Sequence, residues 1–277
     1  MPPTHRRLPG LLGGLVLLAC ALVATVISAP QGALEARPAF VSTCLGYCKH
    51  PTNAGKVFRW GREAWRQEFE TGPFSRHWRS NHPRQVGQQK GMLTIQSGRH
   101  TGTIAVWPDN QAATTGRWEA RVRPYERSGS GTRYRFVWEL VPAGRNTRCG
   151  ANEVVLATYV PGDKRVHGHV RTLADNSFTF SRSRDLRNRA WHTYAVEITQ
   201  RHISWFVDTQ VVRTEKRPAA LAGVKYRPQF MMKATPHRAM RPSWLQADWV
   251  RYYTLQRHNA RSISAPPMHK MRYPGGC

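Results

Sequence analysis

From Gln67 onward the chain is a succession of short segments in which apolar and polar residues alternate between turn-forming residues. His192–Thr199 shows the pattern plainly. Side chains of a strand alternate with period two, so His192, Tyr194, Val196 and Ile198 fall on one face and Thr193, Ala195 and Glu197 on the other. The same reading predicts strands at Met92–Ile95, Thr103–Trp107, Arg117–Arg123, Arg133–Leu140, Glu153–Val160, Arg165–Thr172, His202–Asp208, Gln229–Ala234 and Asp248–Leu255. Turn signals such as SGSG at Ser128–Gly131 and PGD at Pro161–Asp163 separate them. No convincing amphipathic helix interrupts the series, and only Pro218–Leu221 reads as one helical turn. Many short strands without helices predict an all-β sandwich or barrel.

The ends have a different character. Arg6 and Arg7 precede an uncharged apolar run, Leu11–Ser28, so residues 1–29 read as a signal peptide or an N-terminal membrane anchor. The run is longer than the roughly 7–15 residues of a signal core and close to the roughly 20 of a membrane span, so both forms stay open. Either one implies export, to the cell envelope or the medium. Cys20 is read as a packing residue of this segment. Residues 30–66 are irregular, residues 67–256 form the globular unit, and residues 257–277 are a basic, Pro/Gly-rich tail expected to be loosely ordered. Export leaves Cys44, Cys48, Cys149 and Cys277, an even number with three possible pairings, and disulfides suit them better than zinc, whose usual ligand spacings they do not match.

Charge sharpens the picture. The 277 residues carry 42 Lys+Arg against 16 Asp+Glu, a formal charge of +26. A field of that size attracts acidic polysaccharide, wall polymer, lipid headgroups or nucleic acid without choosing among them. No nucleotide, flavin or metal motif is present, so no cofactor is expected, and no nucleic-acid motif appears. Oligomeric state is not legible. Against this basic background the stretch Ala151–Tyr159, ANEVVLATY, stands out for one carboxylate, Glu153, on an apolar strand. Strict alternation puts Glu153, Val155 and Ala157 on one face and Val154, Leu156 and Thr158 on the other.

The order of segments is informative. A strand ending in LTI is followed by TTGRWEARVR at Thr114–Arg123, an aromatic strand closing on Leu140-Val141-Pro142 and the acidic strand at Glu153. Val166–Thr172 (VHGHVRT), Trp191–Glu197 (WHTYAVE), Ile203–Asp208 and Asp248–Tyr253 (DWVRYY) complete the series. This order, over roughly Glu68–Leu255, resembles glycoside hydrolase family 16. The resemblance implies a jelly-roll sandwich of two curved antiparallel sheets, of the concanavalin A-like lectin/glucanase type, and hydrolysis of O-glycosyl bonds in β-glucan-type polysaccharides.

The family's catalytic signature, E-x-D-x-x-E, falls on Glu153–Thr158, and only its first acid is present. By resemblance Glu153 stands at the nucleophile position, Val155 at that of the tuning aspartate and Thr158 at that of the general acid/base. Retention needs two carboxyl groups about 5–5.5 Å apart across the glycosidic bond. On a regular strand, positions five apart face opposite ways, so a bulge would be needed to bring the last one back to the nucleophile's face. A threonine hydroxyl cannot protonate a leaving group near neutral pH. The implied protein therefore binds polysaccharide, with hydrolysis lost or weak, unless His167, His169 or Glu139 supplies a relocated acid; a basic polyanion-binding surface protein is the remaining alternative. Substrate-contact candidates are Trp138, Tyr159, His169, Arg171 and Lys233, with Trp191, Trp205 and Trp244 as further aromatics; Arg171 departs from the histidine that members often carry. Lys233, interrupting an apolar strand, would suit an anionic glycan or cell-wall polymer.

Overall fold

The computed structural model describes residues 53–70, 77–144, 152–172 and 176–272. The N-terminal apolar run and all five cysteines lie outside the described residues. The alternating segments become sixteen strands. They are β1 (Trp65–Gln67), β2 (Trp78–Ser80), β3 (Val86–Gln89), β4 (Met92–Ser97), β5 (Ile104–Pro108), β6 (Gly116–Glu126), β7 (Arg135–Pro142) and β8 (Val154–Tyr159), then β9 (Arg165–Thr172), β10 (Asn176–Ser183), β11 (His192–Ile198), β12 (Ile203–Val207), β13 (Gln210–Glu215), β14 (Tyr226–Lys233), β15 (Ser243–Tyr253) and β16 (His269–Met271). Sheet A runs β13-β12-β11-β6-β15-β4-β3, with β1 added to β15; sheet B runs β16-β10-β9-β8-β7-β14-β5-β2. Pairing is antiparallel throughout both sheets. The inner faces meet in one core that contains Trp118, Trp138, Tyr159, Tyr194, Trp205 and Phe230, as expected of two half-buried sheets packed face to face. Pro218–Ala220 is a single 3-10 turn. The basic tail differs from its expectation: β16 lies within it and pairs with β10 through Ser177–Thr179.

β8 departs from strict alternation. Val155 pairs with Glu139 and Ala157 with Trp138, so two steps on β8 oppose one on β7 and Leu156 is the extra residue of a bulge. The β9 side agrees, pairing Val155 with His169 and Thr158 with His167. Leu156 and Ala157 consequently both turn inward, and Thr158 returns to the outer face with Glu153 and Val155. At the bulge the Val155 carbonyl also takes a side-chain donor from the opposite sheet, using the second lone pair of its oxygen. Trp205 of sheet A supplies that donor: its indole Nε1–H reaches across the sandwich to the Val155 carbonyl, 3.1 Å away. Gly168 makes room beside it, since a Cβ there would stand 2.4 Å from the Phe180 ring and 2.9 Å from the same carbonyl oxygen.

The outer face of sheet A is partly covered by chain from both flanks of the sandwich. A short helix, α1 (Ala54–Val57), capped by the Asn53 side chain, and the residues after it place Ala54, Phe58 and Trp60 against Ala195, Phe206 and Tyr253. Beneath them Glu119 is wholly buried and accepts hydrogen bonds from the Ala54 and Gly55 N–H groups, the first at 2.5 Å. Burial, only partly offset by those bonds, pushes its pKa up to about 8. Nearby, Arg117 donates to Glu197 (2.5 Å) and to the Thr254 and Arg257 carbonyls, while Asn259 donates to Glu197 at 2.8 Å, which fastens the segment following β15.

Two outcomes are expected from this architecture. Trp205→Phe removes the indole bond to the Val155 carbonyl and part of a fully buried ring, and is expected to lower stability by about 1–3 kcal/mol in denaturant titration; an unchanged midpoint would show that the bond contributes nothing. For Glu119, the unfolded carboxyl ionises near its ordinary value of 4.5 and the folded one near 8. Stability is thus favoured below pH 4.5 and declines as pH rises through that window, levelling off above about 8. The melting temperature of Glu119→Gln should overtake that of wild type progressively between those limits; parallel curves would contradict the assignment.

Candidate functional site

Because of the bulge, the outer face of sheet B collects polar side chains from four adjacent strands. Register places Gln229 of β14 opposite Glu139 of β7, Glu139 opposite Val155 of β8, and Val155 opposite His169 of β9. Glu153 sits at the entry to β8, after Asn152, whose backbone has a φ of 60°. Its side chain is 14% exposed. Oε1 of Glu153 takes hydrogen bonds from Arg171 Nη1 (2.5 Å) and His169 Nε2 (2.8 Å). The period-two spacing of His169 and Arg171 on β9 aims both at this one carboxylate.

A second carboxyl lies beside the first. Glu139 is buried, accepts a hydrogen bond from Gln229 Nε2 at 2.7 Å, and has its pKa raised to about 7 by burial and by the neighbouring charge of Glu153. Gln229, Lys233 and Arg171 oppose that rise. The His169 ring is pushed the other way, below the ordinary histidine value, chiefly by burial, against the pull of Glu153. At neutral pH the ring is therefore mostly uncharged, and its bond to Glu153 is donated by a neutral imidazole carrying its proton on Nε2. The Glu153 and Glu139 carboxyl groups, the His169 imidazole and the Arg171 guanidinium make up the cluster. Lys233 is exposed and lies opposite Arg135 in register. The Val155 and Thr158 side chains project from the same face without charge, and the buried Thr158 Oγ1 makes no hydrogen bond among the described residues.

Of the residues chosen from sequence, Glu153, His169, Arg171 and Lys233 share this face, as do Glu139 and His167. Trp138 and Tyr159 do not. Trp138 is fully buried and stacked on Phe230, with ring centroids 4.5 Å apart, and Tyr159 packs in the core between Phe136 and Tyr194. Both alternate with outward-facing residues, so neither can meet a ligand. Trp205 is likewise core, while Trp191 and Trp244 lie on the far side of the sandwich, against arginines of sheet A. The outer-face aromatic that went unnoticed is Trp107, paired with Arg79 and lying under the Arg227 guanidinium at 4.6 Å. Its signal was present: Ile104 and Val106 are the apolar, inward set of β5, which leaves Ala105 and Trp107 outside. Among the described residues no group of three His, Cys, Asp or Glu side chains is placed to hold a metal.

Known proteins agree with this architecture. The model of "Glycosyl hydrolases family 16" matches residues 73–249. Among solved structures, the laminarinase from Flavobacterium sp. UMI-01 superposes with a TM-score of 0.56 at 15% identity, over 70% of this chain and 100% of its own. The laminarinase from Rhodothermus marinus gives 0.55 at 20% identity, over 69% and 96%. The endo-β-1,3-glucanase from Pyrococcus furiosus gives 0.58 at 12% identity, over 70% and 94%. At these identities the likeness is one of fold. No curated protein sequence matches the chain. The family model covers more than half of the chain, and with the two-sheet sandwich and the bulged acidic strand it identifies the chain as a member of glycosyl hydrolase family 16.

Proposed function

We propose that this chain is an exported, polysaccharide-directed protein that binds a β-glucan-type chain across the outer face of sheet B and hydrolyses it weakly or not at all. One observation carries the reading. The bulge aims residues 153, 155 and 158 at the same face, yet only Glu153 among them bears a carboxyl, and that carboxylate is already held by Arg171 and His169. A nucleophile so engaged still needs a group to protonate the leaving oxygen, a contribution commonly of roughly 10²–10⁴ in rate, and Thr158 cannot provide it. What remains is a polar, largely cationic strip with Trp107 at one side, suited to hydroxyl-rich and acidic sugars. Relatives named for laminarin and β-1,3-glucan point to neutral glucans first; the positive surroundings of Lys233 and Arg135 favour acidic wall polymers as the alternative.

Binding and turnover should be measured side by side on β-1,3- and β-1,3-1,4-glucans, galactans and acidic wall polymers. The expected result is saturable binding to at least one of them, with Glu153→Gln changing turnover little. Val155→Asp/Thr158→Glu, which returns both acids to a bulge that still points the right way, is expected to raise hydrolysis by roughly 10²-fold or more. Family-like turnover of the wild type, abolished by Glu153→Gln, would sink the proposal.

A second reading keeps hydrolysis and is favoured by Glu139, whose carboxyl is about half protonated near pH 7 next to Glu153. If Glu139 is the relocated acid, activity exists in wild type, declines as pH rises through about 7, and vanishes in Glu139→Gln while glucan binding persists. On the leading reading Glu139→Gln has no catalytic effect, and the pH profile separates the two.

A further inference from the structure

Beyond the segment that α1 covers, the outer face of sheet A carries a second concentration of chemistry. Arg121, Arg123 and Tyr125 alternate along β6 and so share the outward side, with Tyr125 opposite Trp244 and Arg123 opposite Gln246 of β15. The rings and guanidinium groups are layered. Tyr125 and Trp244 meet edge to face at 5.6 Å; Arg189 lies 4.0 Å over Tyr125 and Arg127 5.9 Å over Trp244. Arg121 and Arg123 lie 4.7 and 4.5 Å from the Trp191 ring. The open depression bordered by Arg123, Tyr125, Arg127, Arg189 and Trp244 has a volume of about 760 Å³.

Two nearby acids are already paired with arginines. Asp248 is paired with Arg121 at 2.6 Å, and Glu126 with Arg133 and Arg241. Arg123, Arg127 and Arg189 have no carboxylate partner among the described residues. Burial, then the like charges of Arg121 and Arg189, lower the Arg123 pKa, with Asp248 opposing. An uncompensated positive potential is therefore focused on this face. Arg123 donates from Nε to Gln246 Oε1 at 2.8 Å and from Nη2 to Met92 Sδ at 3.9 Å, which leaves Nη1; stacking holds Arg127 and Arg189 in place with their N–H edges turned to no acceptor among the described residues, the geometry in which an arginine grips an oxyanion with two parallel hydrogen bonds.

We propose that this face of sheet A is a second carbohydrate site, which takes a polysaccharide bearing carboxylate or sulfate groups and gathers its anions on Arg123, Arg127 and Arg189. Single-stranded nucleic acid fits less well, because stacked bases need open ring faces and guanidinium groups already lie over Tyr125, Trp191 and Trp244. The site lies on the opposite sheet from Glu153 and does not depend on how that residue acts.

The test uses Arg127→Gln/Arg189→Gln, which removes two exposed side chains that anchor no part of the core, against Arg62→Gln/Arg238→Gln, which removes the same charge elsewhere on the surface. Affinities of the full chain for polygalacturonate, dextran sulfate, a neutral β-1,3-glucan and a single-stranded oligonucleotide are measured near 0.15 M ionic strength. The first variant is expected to lose about tenfold or more on polygalacturonate, dextran sulfate or both, with neutral-glucan binding and melting temperature unchanged and the control close to wild type. The two acidic polymers show whether carboxylate or sulfate is the better anion. Unaltered affinity for both, or an equal loss in the control variant, overturns the proposal; so does an oligonucleotide that binds tighter than either polysaccharide and shows the same loss. A fall in neutral-glucan binding alone would instead place the glucan of the sheet B reading on this face.

Discussion

The indole hydrogen bond from Trp205 to the Val155 carbonyl joins the two sheets at the point where the site's geometry is decided. Beside the extra residue in β8 the Val155 carbonyl takes a donor that comes from the opposite layer of the sandwich. Gly168 and the Phe180 ring fit around the same spot. Remove this arrangement and a regular β8 would turn Thr158 inward, separating it from Glu153. The outward cluster on sheet B is thus a property of the core as much as of the polar residues that form it.

Much of the sandwich was legible because binary patterning reports burial, and burial is what a two-layer sheet structure imposes on its strands. The segment at Arg165–Thr172 shows it well, since Val166, Gly168 and Val170 are buried and alternate with more exposed polar residues. The pattern failed where alternation fails. In β8 every residue from Val154 to Ala157 is buried, so period two offered no way to locate the bulge, and Ala157 was placed on the wrong face. Trp138 and Tyr159 were misread for a related reason: an aromatic near a motif suggests sugar stacking, whereas its partner across the ladder decides which way it points. β16 eluded pattern reading because all three of its residues are exposed, and a strand with no buried face leaves no periodic trace. Clustering of Glu139 with Glu153 needed the register of β7 against β8, which the sequence carries only implicitly through the bulge.

The site's chemistry follows from contrast in environment. Glu153 and Glu139 are neighbours, but one is held by a guanidinium and an imidazole while the other faces an amide in a drier setting. Two carboxyls with opposite surroundings are a common basis for dividing acid and base roles. Here the contrast in environment is present while position 158 carries a threonine.

The disposition of the acids also governs how the molecule behaves at a distance. Glu119, Glu139, Glu197 and Glu215 are buried, so a quarter of the sixteen acidic residues contribute little to the outer field, and the solvent sees a surface dominated by guanidinium groups. Arginine does not titrate in any physiological range, so the guanidinium share of that field is constant, while dissolved salt, with a screening length of about 8 Å at 0.15 M, weakens it. For encounters with any polyanion, ionic strength therefore sets how far the guanidinium field reaches.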